Sequence, residues 1–297
     1  MWGGDAVARL LGRIVDVRCV STMVRHSVGV NDWRGVHRPD LHWAPSGLPG
    51  WMRRLPGWAA RGLSETRLPL EVGALLASDL LRDPDLPRGQ GDTVLLVPGF
   101  GFGDPTLVPM HVVLRKVGYR TVRSGIVSNI DCSDRTVGTL AAVAEREAER
   151  SGGRIQVVGQ SRGGMLARGL GARRPDLVSR AINLGGPLND EFAFYEIPSP
   201  LISAIYASHR VRSPLPDPAC LRPVCPCPYM QAVHRPMPAQ VELVSVYTPS
   251  DGVIDWRSCV VPGARNIRVE SSHLGMGTDP RVLRLVIEEL ARPVPAA

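Results

Sequence analysis

A chain of 297 residues with 44% apolar and 21% charged positions has ordinary globular composition, which excludes a wholly disordered chain, a collagen-like repeat and a membrane-embedded bundle. It is long enough for one large domain or two small ones. The formal charge of +7 rests on 34 Arg and a single Lys, Lys116. Such an excess fits nucleic acid, an anionic membrane surface or acidic substrates, or simply Arg used wherever Lys would serve.

Residues 1–65 form an irregular, basic, Trp-rich N-terminal arm holding five of the six Trp (Trp2, Trp33, Trp43, Trp51 and Trp58). One helix is predicted at its front, where Val7, Leu10, Leu11, Ile14 and Val15 share a face away from Arg9, Arg13 and Asp16. Asp5, Arg9, Arg13, Asp16 and Arg18 interrupt any apolar core of an export signal. No run of 18 uncharged apolar residues occurs, so a cytoplasmic or peripheral protein is expected.

From Leu68 the pattern becomes regular. Leu68, Val72, Leu75, Leu76 and Leu80 are spaced for a helix ending near Asp83-Pro84. Strand Thr93–Val97, helix Leu107–Val117 and strand Tyr119–Val122 follow. A long helix Ser133–Arg150 takes Ser133 as its N-cap. Strand Ile155–Val158 leads through a tight turn into helix Gly164–Gly171. Ala181–Leu184, Val241–Tyr247 and Ile267–Val269 complete the strands, and helix Arg281–Ala291 closes the chain. This alternation predicts an α/β fold, a mostly parallel sheet with helices on both faces, over residues 66–297. About residues 187–238 interrupt it with 11 of the 27 prolines. An insertion where strands end overlies the usual ligand site of such sheets, so it reads as a cap.

The strand at Ile155 runs into Gly159-Gln160-Ser161-Arg162-Gly163, a G-x-S-x-G turn between strand and helix. Side chains two before and two after the serine would collide with strand and helix, so glycine is required there. The turn lifts Ser161 out at the top of the sheet. A serine hydroxyl needs a base, and the base an orienting acid. His273, after the last strand, is the candidate base, and Asp251, in Ser250-Asp251-Gly252 past Val241–Tyr247, the candidate acid. Asp255 is the rival acid but is placed to start a helix. His26, His37, His42, His111, His209 and His234 read as surface or packing residues. Two backbone donors should hold the oxyanion: the N–H of Arg162, and that of Phe100 in the loop Pro98–Gly103. This chemistry calls for no cofactor and no metal.

Residues of about 68–292 thus resemble an α/β-hydrolase of the lipase and esterase type, at the Pro98–Gly103 loop, the Gly159–Gly163 elbow, Ser250-Asp251-Gly252 and His273. The resemblance implies a Ser161–His273–Asp251 triad that forms and hydrolyses an acyl-enzyme. Many members carry His-Gly where this chain has Pro98-Gly99. The substrate implied is a small-molecule or lipid ester with an apolar acyl group, for which Phe192, Phe194, Tyr195, Ile202, Ile205 and Tyr206 of the cap offer a lining. Acyl transfer to an alcohol on the same triad, or a non-catalytic protein binding through its arm, are the alternatives, since one fold hosts many functions.

Cys220, Cys225, Cys227 and His234 lie within 15 residues, but C-x4-C-x-C-x6-H is not a usual zinc spacing. A disulfide within the cap or to Cys259 is the better expectation, and it would place the protein outside a reducing cytosol. The arm carries nine Arg against five acidic residues, leaving 26 basic and 23 acidic beyond it. A near-balanced catalytic part argues against nucleic acid as partner. It leaves the arm suited to a lipid interface or to wrapping its own domain.

Overall fold

Four apolar residues in a row at Val94–Val97 leave no polar face, and the strands starting at Thr93, Ile155 and Val178 are buried at every position. Strands of that kind must be covered on both sides. A computed structural model describes residues 62–190, 193 and 227–294, and in it they are so covered. The strands are β1 (Thr93–Val97), β2 (Arg120–Arg123), β3 (Ile155–Gln160), β4 (Val178–Leu184), β5 (Glu242–Tyr247) and β6 (Arg265–Arg268). They form one sheet in the order β2-β1-β3-β4-β5-β6 with every neighbouring pair parallel.

Among the described residues the helices that accompany them include α1 (Leu68–Ala77), α2 (Val108–Lys116), α3 (Ser133–Ser151), α4 (Arg162–Arg173), α5 (Pro228–Val233) and α6 (Pro280–Ala291). Side chains alternate across each strand, so β1 sends Val94 and Leu96 one way and Leu95 and Val97 the other. The first pair joins Met110 and Leu114 of α2 and Leu283, Val286 and Ile287 of α6. The second pair joins Val137 and Leu140 of α3, Leu166 and Leu170 of α4, and Tyr229 of α5. Helix α5, in the last part of the Pro-rich insertion, is therefore core: its Tyr229 ring lies where a Cβ on Gly169 would stand 2.5 Å away.

Two local expectations are corrected. The first helix stops at Ala77 rather than near Asp83, because the Ser78 hydroxyl bonds the Leu75 carbonyl at 2.8 Å and the backbone turns extended. Such short side chains compete with the helix for its carbonyls. Leu80–Arg82 then makes only a 3-10 turn. Ser133 is not an N-cap: Cys132 holds that position without a side-chain bond, and Ser133 Oγ accepts from Arg162 Nη2 at 3.0 Å instead. The arm helix near Val7–Val15, and the cap with Phe192, Phe194, Tyr195, Ile202, Ile205, Tyr206, Cys220 and Cys225, lie outside the described residues. The expected bridge to Cys259 is not formed, for that buried thiol is free. None of the described helices is long and apolar enough to cross a membrane.

Candidate active site

The sharpest local feature is the turn from β3 into α4. Ser161 has φ 54° and ψ −124°, the only non-glycine residue at positive φ among the described residues. A strained conformation of this kind persists only where its surroundings impose it. Ser161 N–H donates to Leu184 O at 2.7 Å. A Cβ on Gly159 would stand 2.0 Å from Gly163 O, and one on Gly163 would stand 2.1 Å from Val97 O. Both contacts are with backbone, which cannot swing aside. We therefore expect Gly159→Ala to cost about 3 kcal/mol or more. That should lower Tm by roughly 6–12 °C, at about 2–4 °C per kcal/mol. A melting curve matching the wild type would contradict the packing described.

The other predicted residues meet at the same edge of the sheet. Asp251 and His273 are both buried, and His273 Nδ1 lies 2.6 Å from Asp251 Oδ2. A carboxylate only accepts, so Nδ1 carries the hydrogen and Nε2 is left as the basic nitrogen. Asp251 Oδ1 accepts from the N–H groups of Val253 (2.9 Å) and Ile254 (2.7 Å), which fixes the carboxylate plane. Burial pushes the imidazole toward the neutral form and is the largest single influence. The charge of Asp251, its hydrogen bond and the charge of Glu65 outweigh it and hold the His273 pKa above the ordinary value.

Ser161 and His273 flank one turn. A Cβ on Gly185, just past β4, would lie 3.2 Å from His273 Nδ1, and one on Gly186 would lie 2.3 Å from Ser161 O. Among the described residues no hydrogen bond joins Ser161 Oγ to the imidazole, a contact that commonly tightens only around substrate. Asn183 secures the turn, accepting from Gly186 N (2.9 Å) and donating to Gly186 O (2.9 Å) and Ser245 Oγ (3.0 Å).

The Pro98–Gly103 loop lies beside the elbow, since a Cβ on Gly99 would be 3.4 Å from Ser161 Cβ. Phe100 forms a parallel bridge with Asn129. Asn129 Nδ2 donates to Pro98 O at 2.7 Å, while its Oδ1 accepts from Arg162 Nε at 3.2 Å. Arg162 also reaches Asp131 O and Ser133 Oγ. The loop carrying Phe100 and the residue after Ser161 are thus fastened to one another through Asn129.

Asp255 does not compete for the imidazole: it caps the Trp256–Cys259 turn and accepts from Arg257 N at 3.1 Å. His111 has a packing role, 2.8 Å from Thr121 Oγ1. Cys259 lies near Asp251, and burial followed by that charge drives its thiol pKa upward. No cluster of His, Cys, Asp or Glu suited to a metal occurs among the described residues.

Three polar residues at the site escaped sequence reasoning. Gln160 Nε2 donates to the carbonyls of His273 (3.2 Å) and Leu274 (3.1 Å), tying the elbow to the histidine loop. Glu71 of α1 accepts from Ser272 N (2.7 Å), Ser272 Oγ (2.5 Å) and Ser271 Oγ (3.2 Å). Glu65, at the end of the helical residues 62–65 just before α1, accepts from backbone on both the Asp251 and the His273 loops. The x in G-x-S-x-G marks the place of Gln160 but not its role. Nothing in the sequence marks either glutamate.

No family model and no curated protein sequence matches the chain. Among solved structures, the Bacillus licheniformis lipase BlEst2 in its propeptide form superposes with TM-score 0.52 at 13% identity, over 72% of this chain and 54% of that one. This chain thus spans about half the length of that lipase. The methylesterase MES16 from Arabidopsis gives TM-score 0.43 at 16% identity, over 67% of this chain and 98% of that one. What is shared with BlEst2 at such identity is architecture: the chain has the α/β-hydrolase fold.

Proposed function

We propose that the protein is a serine hydrolase of carboxylic esters. The observation that carries this reading is the strained Ser161 at the β3–α4 turn, set at the same sheet edge as a buried His273–Asp251 pair. In this reading Ser161 Oγ attacks the ester carbonyl while His273 Nε2 takes its proton. Negative charge on the former carbonyl oxygen is met by the N–H groups of Arg162 and Phe100, the first also at the start of a 12-residue helix whose N-terminus favours an anion. The intermediate collapses to an acyl-Ser161, and the alcohol leaves with the proton held on His273. Water then repeats the sequence with His273 as base, releasing the carboxylic acid and restoring Ser161.

An apolar acyl or alcohol portion is supported by Phe102 in the Pro98–Gly103 loop and by Val127, whose carbonyl lies against Gly103, both large apolar side chains left exposed. Reaction with a fluorophosphonate probe, followed by mass mapping, tests the assignment. Label confined to the Ser161 peptide is expected, with turnover of nitrophenyl esters that rises with acyl length. A wild-type chain that takes up no label, or takes it elsewhere, would overturn the proposal.

The proton balance of His273 gives a second expectation. A protonated imidazole cannot accept from Ser161, and its pKa is held up, so the protein keeps that proton to higher pH. The value of kcat/KM should therefore rise with pH through a single-proton step centred above about 6.5, the unperturbed histidine value. A midpoint below that value would show that burial, rather than Asp251 and Glu65, dominates.

A further inference from the structure

We propose that Glu65 is a positioning residue of the active site, a carboxylate clamp that sets the Asp251 loop against the His273 loop; this rests on the hydrolase reading above. Its Oε1 accepts from Gly252 N at 3.0 Å and from His273 N at 3.0 Å, and its Oε2 accepts from Leu274 N at 2.9 Å. Gly252 follows the acid directly and His273 is the base, so one side chain grips both partners by their backbones. The span matters because a 2.6 Å contact between Nδ1 and Oδ2 has little tolerance. Apart from that contact and Glu65, Thr248 Oγ1 on Ser271 O (2.9 Å) links the two loops. Glu71 buttresses only the histidine side, through Ser271 and Ser272.

Glu65 also has an electrostatic part. The titratable groups on the elements around the imidazole are Asp251 and, behind it, Asp255 and the neutral Cys259 thiol; Glu65 and Glu71 on the segment before β1; and Glu270, Asp279 and Arg281 on its own loop and the start of α6. The elbow and the β4 turn bring the uncharged Gln160 and Gly185, and the Arg162 side chain is bonded to Asn129, Asp131 and Ser133. Of these groups, Asp251 and Glu65 stabilise the imidazolium. Glu65 therefore fixes where the base stands and raises the pH at which it becomes available.

Full-length Glu65→Gln, Glu65→Ala and Glu65→Asp test both parts. In Glu65→Ala kcat should fall by about 10- to 100-fold with KM little changed, the scale of an ångström-level misplacement. Glu65→Gln keeps the size but loses the charge, so the acid limb of kcat/KM should move to lower pH; Glu65→Asp should return it toward wild type. Glu71→Gln serves as comparison, expected to lower Tm without moving that limb. Titration of the His273 imidazole by NMR supplies a readout that needs no turnover. If the wild type takes no fluorophosphonate, the hydrolase reading fails, yet a lower His273 midpoint in Glu65→Gln still supports the clamp. Wild-type midpoint and wild-type kcat in Glu65→Gln and Glu65→Ala together would overturn it.

Discussion

Ser161→Ala is expected to lower ester turnover by about 10^6-fold, the scale seen when an acyl-enzyme nucleophile is removed, and to abolish fluorophosphonate labelling. The fold should survive. Alanine keeps the Cβ, and the bond from residue 161 N–H to Leu184 O (2.7 Å) is made by backbone. The positive φ of 54° is no harder for alanine than for serine. Melting temperature and circular dichroism should match the wild type, so lost activity reports chemistry alone. A variant retaining more than about one part in a thousand of the wild-type rate, well above the expected 10^6-fold loss, would show that another group attacks the substrate.

The fold was legible because its central strands, β1, β3 and β4, are buried on both faces. Runs such as Thr93–Val97 and Ile155–Val158 are too short for helices and too apolar for the surface, and punctuation by Pro and Gly separates them from the helices. Errors fell where a side chain had two options. Ser133 looks like a cap until Arg162 claims its hydroxyl, and Ser78 looks like helix until it takes the Leu75 carbonyl. Both outcomes depend on partners distant in sequence or on local geometry that composition does not encode.

The site divides in the same way. Ser161, Asp251 and His273 could be grouped as candidates from the sequence because their order and their places after strands follow the topology. Glu65 and Glu71 could not, since each is a single glutamate in a stretch read as the end of an arm or as a polar position in a helix. Glu71 interrupts the apolar spacing of Leu68, Val72 and Leu75, yet it is buried, and its partners are 200 residues away or more. The arginines carry the same lesson. Read as net charge they suggest a basic surface, but Arg180 is fully buried on Glu242 and on the Leu290 carbonyl. Arg162 is buried beside the nucleophile. Part of the formal charge therefore works inside the molecule rather than toward a partner.

Asp251→Asn should reduce kcat by about 10^4-fold with KM nearly unchanged, the cost of an orienting acid replaced by its amide. The carbonyl oxygen of the asparagine can still accept from Val253 and Ile254, as Asp251 Oδ1 does at 2.9 and 2.7 Å, so the loop should hold its shape. Its NH2 then faces His273 Nδ1, where the carboxylate oxygen stood 2.6 Å away. A donor there forces the hydrogen onto Nε2, the nitrogen that must be empty to receive the Ser161 proton. The imidazolium also loses its principal counter-charge while burial continues to oppose it, so the His273 midpoint should fall below the wild-type value. Two shifts of opposite consequence are thus predicted: the base is neutral over a wider pH range, yet in the wrong tautomer. Steady-state kinetics as a function of pH, with NMR titration of His273, resolve them. Asp255→Asn is the control, since Asp255 bonds Arg257 and caps the Trp256–Cys259 turn. If Asp255→Asn lost activity as severely as Asp251→Asn, or if Asp251→Asn lost less than about tenfold of the 10^4 expected, Asp251 would not be the acid that orients His273.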